Sequence, residues 1–422
     1  MSSEPLVASP STNVSPAGRD ARRGLAYLVS FGAAAVGAGL VRTVASTYLP
    51  LLLAEIREAP VLIGLVMLIN SAAGFAVPLL VGRWSDRRHT PRHGRRPFIV
   101  GGSLLTLGGL TAVALGHSTS FLVLTFAGAV AYVGVNVVTT AHRALVHDCF
   151  KGSDYARGNG AQEVAMLAGG LVGLAVGGLL TELALWAPFL LAAIGMPLLA
   201  LPTLRLPIAD PGKPLRAASA PLHFYRRILT QPGVRSLLLA EILWVIGYAP
   251  LPVFFLLYGR SVLGLEPGVA SMWLAAFAVG AGAVMGVASR LREQRRHKRL
   301  LALGVACMGL GFLGAAATTS LVGVSLACAA AAVGFGLIST LGFSLFASLI
   351  PQGESGGYTA LYYSLRAVAS AVAVPLAGLA VALTDSYRSI FALGGAATLA
   401  ALMPLAFAMS PHAAAASTRL LR

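Results

Sequence analysis

Long apolar stretches, separated by short polar or Gly/Pro-rich breaks, recur along the whole chain. They lie near residues 25–53, 61–82, 98–116, 121–144, 160–181, 186–204, 236–258, 268–289, 300–317, 321–349, 357–383 and 388–409. A helix needs about 20 apolar residues to cross the hydrocarbon core of a bilayer. Each stretch is therefore predicted to be a transmembrane helix, and we refer to these helices as spans 1 to 12.

The composition agrees with a membrane protein. Of the 422 residues, 57% are hydrophobic and 11% are charged, whereas soluble domains carry about 25% charged residues. The predicted fold class is therefore an all-α integral membrane protein. The net charge of +16 would fit a nucleic-acid-binding protein, but its distribution along the chain argues against a nucleic acid partner.

Basic residues are concentrated on one side of the predicted membrane. With the N-terminus placed in the cytoplasm, 26 of the 31 Lys and Arg residues lie on the cytoplasmic side, three lie on the other side and two lie within spans. Positive charge in short loops marks the cytoplasmic side of a membrane protein. We therefore expect a multi-pass protein of the inner (plasma) membrane with both termini in the cytoplasm.

The longest connection divides the chain into two halves of six spans. It covers residues 205–235 and contains five prolines and six basic residues. The predicted organisation is a disordered cytoplasmic tail (1–23), an N-terminal six-helix bundle (24–204), a cytoplasmic linker (205–235), a C-terminal six-helix bundle (236–410) and a second cytoplasmic tail (411–422).

A short motif repeats between the two halves. Gly82-x-x-Ser85 recurs as Gly286-x-x-Ser289, 204 residues later. An even number of spans separates the copies, so the repeats have the same orientation. Chance similarity among Ala/Gly/Leu-rich helices is the alternative, although the shared topological position weighs against it. Parallel repeats predict two bundles related by an axis along the membrane normal.

Two glycine series are predicted to be close-packing surfaces between helices. One is Gly169-x-x-x-Gly173-x-x-x-Gly177 in span 5, and the other covers residues 280–286 in span 8. The second series has no preceding strand and is therefore not a nucleotide-binding loop.

A basic loop joins spans 2 and 3. Residues 82–98 read GRWSDRRHTPRHGRRPF and contain Asp86 as their only acid. The order Gly-x-x-Ser-Asp-Arg and then Arg-x-Gly-Arg-Arg-Pro-Phe resembles the loop between helices 2 and 3 of the major facilitator superfamily. The form is most similar to that of the branch of sucrose carriers and glycoside-pentoside-hexuronide symporters.

The resemblance implies the major facilitator fold and a gating role for this loop. In the superfamily the acid secures the cytoplasmic contact between the bundles when the carrier faces outward. A solvated loop charge is the alternative interpretation of Asp86. The residues predicted to belong to the gate are Asp86, Arg87, Arg95, Arg96, Asp148 and Arg157.

Span 4 carries a second resemblance. Asn136 and Arg143, the latter followed by Ala-Leu-x-x-Asp, resemble a stretch of plant-type sucrose carriers. The resemblance implies that the arginine binds sugar and that an acid one turn before the Asn takes the coupling proton. Here that acid position holds Tyr132, and a phenol with an ordinary pKa of about 10 is a poor proton carrier near neutrality. The coupling carboxylate is therefore expected elsewhere.

Placing a polar side chain inside a span costs free energy, so such side chains usually face a water-filled cavity or a partner. Glu241 is the predicted coupling residue because it shares a helical face with two aromatic residues of span 7. Glu163 is the second candidate. A structural ion pair or a snorkelling side chain is the alternative for the charged residues. The predicted substrate-binding residues are Arg42, Asn70, Tyr132, Asn136, Arg143, Trp244, Tyr248, Tyr362 and Arg366.

The sequence predicts a secondary active transporter that moves a small organic solute by alternating access, coupled to protons rather than sodium. The loop between spans 2 and 3 favours uptake of a sugar or glycoside. The missing acid in span 4 keeps proton-driven efflux of a drug or metabolite as the alternative, and a non-transporting sensor or lipid-handling scaffold is a third. We expect no enzyme activity, no cofactor, no metal site and a monomer in the lipid bilayer.

Overall fold

The computed structural model describes residues 24–87, 95–150, 154–206, 226, 228–290, 294–350 and 355–408. Within these ranges the chain forms helices joined by short connections, and twelve helical segments are long and apolar enough to cross a membrane. The segments are Leu25–Ile56, Pro60–Arg87, Arg96–Leu115, Phe121–Cys149, Asp154–Thr181, Ala187–Leu204, Pro232–Leu263, Pro267–Ala288, Gln294–Ala317, Leu321–Ala347, Ser355–Thr384 and Arg388–Ala408. The prediction of an all-α membrane protein with these spans is confirmed.

Two of the spans are interrupted near a proline. Span 7 consists of helices Pro232–Tyr248 and Leu251–Leu263, and span 12 consists of helices Arg388–Ala400 and Leu402–Ala408. Proline has no backbone N–H and its ring clashes with the carbonyl four residues earlier. Pro250 and Pro404 therefore explain the two breaks.

Span 7 begins earlier than the sequence predicts. Its helix starts at Pro232 instead of residue 236, with Gln231 as the preceding residue. Proline is well suited to the first helical position, because the N–H that it lacks would have no partner there. Residues 232–235, assigned above to the linker, are therefore helical. Residues 207–225 and 227 of the predicted linker, and the predicted tails 1–23 and 411–422, lie outside the described residues.

Both ends of the described chain lie on the same side of the helix array, because an even number of spans separates residue 24 from residue 408. We call this the terminal side and the opposite one the far side. The sequence predicts that the terminal side is cytoplasmic.

Glycine residues bring spans 1 and 5 into close contact. A Cβ atom on Gly39 would lie 1.9 Å from the carbonyl oxygen of Met166, and one on Gly169 would lie 1.9 Å from that of Val36. Small residues allow helix backbones to approach each other in membrane proteins. The predicted packing role of the span 5 series is borne out, since Gly173 and Gly177 also contact residues of span 1.

The predicted packing role of the glycine series in span 8 is wrong. Among the described residues, a Cβ atom on Gly282 or Gly286 would meet nothing within 4 Å, and one on Gly280 would meet only the Cβ of Ala332, at 3.8 Å. The spacing of the glycines is similar in the two spans, but this face of span 8 is not covered by another described helix.

The two halves of the chain contact each other on the far side. A Cβ atom on Gly378 of span 11 would lie 2.4 Å from the carbonyl oxygen of Pro60 in span 2, and one on Gly178 of span 5 would lie 1.9 Å from Oγ of Ser271 in span 8. These residues lie in the far halves of their helices. The backbones of the two bundles are therefore in close contact at that end.

Candidate functional site

Glu241 lies at the centre of a buried polar cluster in the C-terminal half. Its side chain is only 1% exposed. The Tyr362 hydroxyl donates a hydrogen bond of 2.5 Å to its Oε2, and Nη1 of Arg366 lies 3.7 Å from its Oε1. Among the described residues, Oε1 has no hydrogen-bond partner. The carboxylate thus interacts with Tyr362 and Arg366, and its Oε1 keeps an unused acceptor among the described residues.

Arg366 connects this buried carboxylate with open space. The centre of its guanidinium lies 5.7 Å from the centroid of the Tyr248 ring, within the range of a cation–π contact. About a third of its side chain, 35%, is exposed. The Tyr248 ring in turn packs edge-on against Phe335, with centroids 5.0 Å apart. Arg366 and Tyr248 are therefore the parts of this cluster that a solute could reach.

Trp244 and Tyr362 are buried next to Glu241 and do not line an open surface. The Tyr362 ring packs against Phe346 with centroids 4.9 Å apart. Both residues are positioned to support the carboxylate. The prediction that they contact a solute stays a prediction.

Arg143 and Glu163 form an ion pair in the N-terminal half. Nη2 of Arg143 lies 3.8 Å from Oε1 of Glu163, and their side chains are 57% and 56% exposed. On a helix with 3.6 residues per turn, Arg143 lies within about 20° of both Asn136 and Tyr132, which are buried. An exposed side chain on this inner face indicates a solvent-filled opening on the terminal side.

Span 1 presents Arg42 and Ser46 to the same opening, whereas the Thr43 side chain lies against Gly170 and Gly173 of span 5. Between Gly37 and Leu53 every residue of this helix is buried except Arg42, Thr43 and Ser46, which are partly exposed. Arg42 lies in the middle of the 32-residue helix. It interacts electrostatically with Arg143, Tyr132 and Glu163. Arg42, Arg143 and Glu163 therefore belong to one site.

The other predicted residues of this half are mostly buried. The Tyr132 hydroxyl lies 3.6 Å from Sδ of Met67, and Nδ2 of Asn136 donates a 2.8 Å hydrogen bond to the carbonyl of Tyr132. Asn70 is partly exposed, but its Oδ1 is buried and has no hydrogen-bond partner among the described residues. Asn70 is thus the member of this group with a free acceptor.

The structure describes the side chains of four of the six predicted gate residues. Nε of Arg95 donates to Oδ2 of Asp148 at 3.2 Å, and both side chains are buried. Nη2 of Arg96 donates to the carbonyl oxygen of Leu206 at 2.6 Å, and Arg157 is exposed. The backbones of Asp86 and Arg87 belong to the helix of span 2, but their side chains lie outside the described part of the chain. The gating role of all six residues stays a prediction.

Removing one member of the buried Arg95–Asp148 pair is expected to destabilise the protein. Breaking a buried ion pair by deleting one partner typically costs about 3–5 kcal/mol, because a charge is left uncompensated. Asp148→Asn should therefore lower the thermal unfolding temperature of the detergent-solubilised protein by several degrees. The double variant Arg95→Gln/Asp148→Asn should recover part of the loss. Equal melting temperatures for the wild type and Asp148→Asn would contradict a structural contribution of this pair.

A pocket of about 570 Å³ lies between the halves on the far side. It is lined by Glu58 from the N-terminal half and by Asp385 and Tyr387 from the C-terminal half. Burial and, secondarily, the nearby Glu58 carboxylate raise the pKa of Tyr387 to about 12. Close by, Arg260 of span 7 forms an ion pair with Glu55 of span 1, which links the two bundles. Sequence reasoning missed these residues, because each lies at the edge of a span, where a charge carries no burial cost.

Comparisons with known proteins identify the fold. The family model of the Major Facilitator Superfamily matches residues 31–374 and 263–420. No curated protein matches the chain. A bacterial homolog of the human lysosomal transporter Spinster, in an inward-facing and unoccupied conformation, is similar in structure, with a TM-score of 0.69 at 15% identity over 94% of this chain and 97% of that one.

Two further solved structures are similar over nearly their whole lengths. A bacterial homologue of the iron transporter ferroportin, in an inward-facing state, has a TM-score of 0.69 at 16% identity, over 91% of this chain and 99% of that one. A D-xylose-proton symporter has a TM-score of 0.67 at 14% identity, over 90% and 96% of the two chains. At these identities the likeness shows the fold alone. The predicted fold of two six-helix bundles is thereby confirmed, whereas the sucrose-carrier branch is not.

Proposed function

Because the chain belongs to the Major Facilitator Superfamily, we propose that it is a transporter that moves a small organic solute by alternating access and couples this movement to protons through Glu241. The observation that carries the proposal is the environment of that carboxylate. It is buried within span 7, and its ion-pair partner Arg366 is partly exposed to solvent.

The arrangement gives a physical route from proton binding to solute binding. An ionised Glu241 attracts the guanidinium of Arg366, 3.7 Å away. A proton on the carboxylate removes this attraction, because neighbouring charges act on the ionised form only. Arg366 is then free to donate hydrogen bonds to a solute lying against Tyr248. Solute affinity thus depends on the protonation of a residue that the solute itself does not touch.

The chemistry of the accessible surface supports a sugar or glycoside as the solute. The ring of Tyr248 offers an apolar face, and Arg366, Arg143 and Ser46 offer donors for hydroxyl groups. One of the proteins with the same fold is a D-xylose-proton symporter, which is consistent with proton-coupled sugar uptake. Uptake rather than efflux is the direction that we propose.

The conformation fits one half of an alternating-access cycle. Backbone contacts and the Glu55–Arg260 ion pair join the bundles on the far side, whereas the side chains of Arg143 and Glu163 are accessible from the terminal side. With the terminal side in the cytoplasm, as the basic loops predict, this is an inward-open state. Transport requires a second state in which the far-side contacts are broken.

The Glu55–Arg260 ion pair should bias this equilibrium modestly. Both side chains are about half exposed, and exposed ion pairs contribute only about 0.2–1 kcal/mol. Glu55→Gln should therefore increase labelling of a cysteine introduced in the far-side pocket by about 1.4- to fivefold, since 1.4 kcal/mol corresponds to about tenfold. The exchanged pair Glu55→Arg/Arg260→Glu should restore the wild-type rate, and Glu266→Gln on the same side should not change it. Equal labelling in all variants would exclude a role for this pair in closing the far side.

The function is tested by transport in proteoliposomes. The purified protein would be reconstituted and given a panel of labelled pentoses, hexoses and glycosides under an imposed pH gradient, with counterflow measured in parallel. We expect at least one sugar to accumulate in a gradient-dependent manner. Accumulation only when the gradient is reversed would show export, and counterflow without any effect of the gradient would exclude proton coupling.

A further inference from the structure

The charges that face the space between the bundles do not balance. Among the described residues, three arginines, Arg42, Arg143 and Arg366, and two glutamates lie within the spans at this space. Glu163 lies 3.8 Å from Arg143 and Glu241 lies 3.7 Å from Arg366. Among the described residues, Arg42 makes no hydrogen bond and no ion pair, although it interacts electrostatically with its neighbours. One guanidinium is therefore left without a counterion.

The neighbours of Arg42 do not compensate its charge. Arg143 repels it, and Glu163, which attracts it, is already paired with Arg143. Tyr132 is nearby, but its hydroxyl is directed toward Sδ of Met67. A charged side chain within a membrane span is expensive and usually marks a substrate or ion pathway. The energetic cost of Arg42 is therefore expected to be offset by something that the protein binds.

The surroundings of Arg42 on span 1 are those of an anion site. Arg42 and Ser46 are partly exposed in an otherwise mostly buried stretch of helix, and both side chains can donate hydrogen bonds. The Ser46 hydroxyl donates to the carbonyl of Thr43 at 3.3 Å, a weak bond that an oxyanion can replace. Arginine presents a planar fork of donors that matches the two oxygens of a carboxylate or phosphate. A neutral solute would leave the surplus charge in place, whereas an oxyanion would remove it.

We propose that the solute carries an oxyanion, a carboxylate or a phosphate, and that this group binds Arg42 together with Arg143. The inference rests on the proposed transport function and narrows its solute class to acids, such as sugar acids or sugar phosphates. Arg143 exchanges part of its interaction with Glu163 for the oxyanion. Tyr248 and Arg366 then contact the rest of the solute from the opposite bundle.

The electrostatic part of the proposal can be tested without knowing the solute. Ser46→Cys would be introduced after Cys149, Cys307 and Cys328 are replaced with alanine, and its labelling by anionic and cationic methanethiosulfonate reagents compared. The same measurement on Ser118→Cys, an exposed position between spans 3 and 4 in a stretch (97–142) without Asp, Glu, Lys or Arg, gives the reference ratio of anionic to cationic labelling. A cleft lined by charges of one sign raises the local concentration of ions of the opposite sign by about 10- to 1,000-fold.

We therefore expect the anionic reagent to be favoured at residue 46 by at least about tenfold over the reference position. Arg42→Gln should bring the ratio close to the reference value, and Arg42→Lys should retain it. A ratio at residue 46 equal to the reference ratio in the otherwise unchanged protein overturns the proposal, even if the Arg42 variants fail to fold.

The solute part is tested with a matched pair of sugars. D-glucuronate and D-glucose have the same ring and differ in a carboxylate, and inorganic phosphate represents a free anion. Glucuronate should protect Ser46→Cys from labelling and accumulate in proteoliposomes, whereas glucose should do neither. Arg42→Lys should weaken glucuronate protection by about tenfold or more, since lysine lacks the bidentate fork.

The remaining outcomes separate this inference from the proposed function. Proton-driven accumulation of glucose that is insensitive to Arg42→Lys overturns the inference and keeps the transport function. Protection by phosphate as strong as that by glucuronate shows a site for a free anion and also overturns it. Protection by glucuronate alone, with no solute accumulating under any gradient, supports the acid site and contradicts the transport function.

Discussion

Glu241→Gln is expected to abolish proton-driven accumulation while leaving exchange of the same solute largely intact. The substitution keeps the shape and the hydrogen bond from Tyr362 but removes the titrating group. A gradient of about 2 pH units stores about 2.7 kcal/mol per proton, enough for accumulation of about a hundredfold. The accumulation ratio should therefore fall from tens to about one, measured with the sugar that the wild type concentrates most strongly.

Two controls make this result specific to Glu241. Glu266→Gln removes a carboxylate from an exposed position on the far side and should leave accumulation unchanged. The protonation of Glu241 can also be followed without a solute, through the fluorescence of Trp244, which is buried on the same face of span 7. For this measurement the other three tryptophans are replaced by phenylalanine. Its pH dependence should disappear in Glu241→Gln. Full accumulation in that variant would rule out Glu241 as the coupling residue.

Gly39→Ala is expected to be strongly destabilising for the N-terminal half. The added methyl group would lie 1.9 Å from the carbonyl oxygen of Met166. This oxygen belongs to the backbone of span 5 and cannot rotate away, so spans 1 and 5 must separate. Overpacking of a close contact typically costs about 1–3 kcal/mol and occasionally more. We expect a loss of folded protein, or a fall in melting temperature of at least about 5 °C.

Gly282→Ala is the matched control for this prediction. It makes the same chemical change within another span, but the new methyl group meets none of the described residues within 4 Å. Alanine has a higher helix propensity than glycine, so the control should be neutral or slightly stabilising. The difference between the two variants, measured by thermal unfolding in detergent, isolates the helix contact. Similar melting temperatures for Gly39→Ala and the wild type would mean that spans 1 and 5 are not packed as described.

The sequence by itself determined the number of spans, their approximate bounds, the fold class and the side on which basic residues accumulate. These properties depend on local composition, since the hydrophobic length of a segment decides whether it can cross a bilayer. It also indicated Glu241 as the candidate coupling residue, because an acid within an apolar span can be recognised without knowing its neighbours in space. The basic loop at residues 82–98 pointed to the superfamily that the family model confirms.

Only the tertiary structure decided which of the candidate residues meet. Glu241 is held by Tyr362, 121 residues away in the sequence, and Arg42 is left without a counterion because Glu163 pairs with Arg143. Sequence periodicity could not settle this, since a membrane helix is apolar on its lipid face as well as on its packed face. The two glycine series show the same limit, because only the rotation of each helix against its neighbours put Gly169 in contact with span 1 and left Gly282 uncovered.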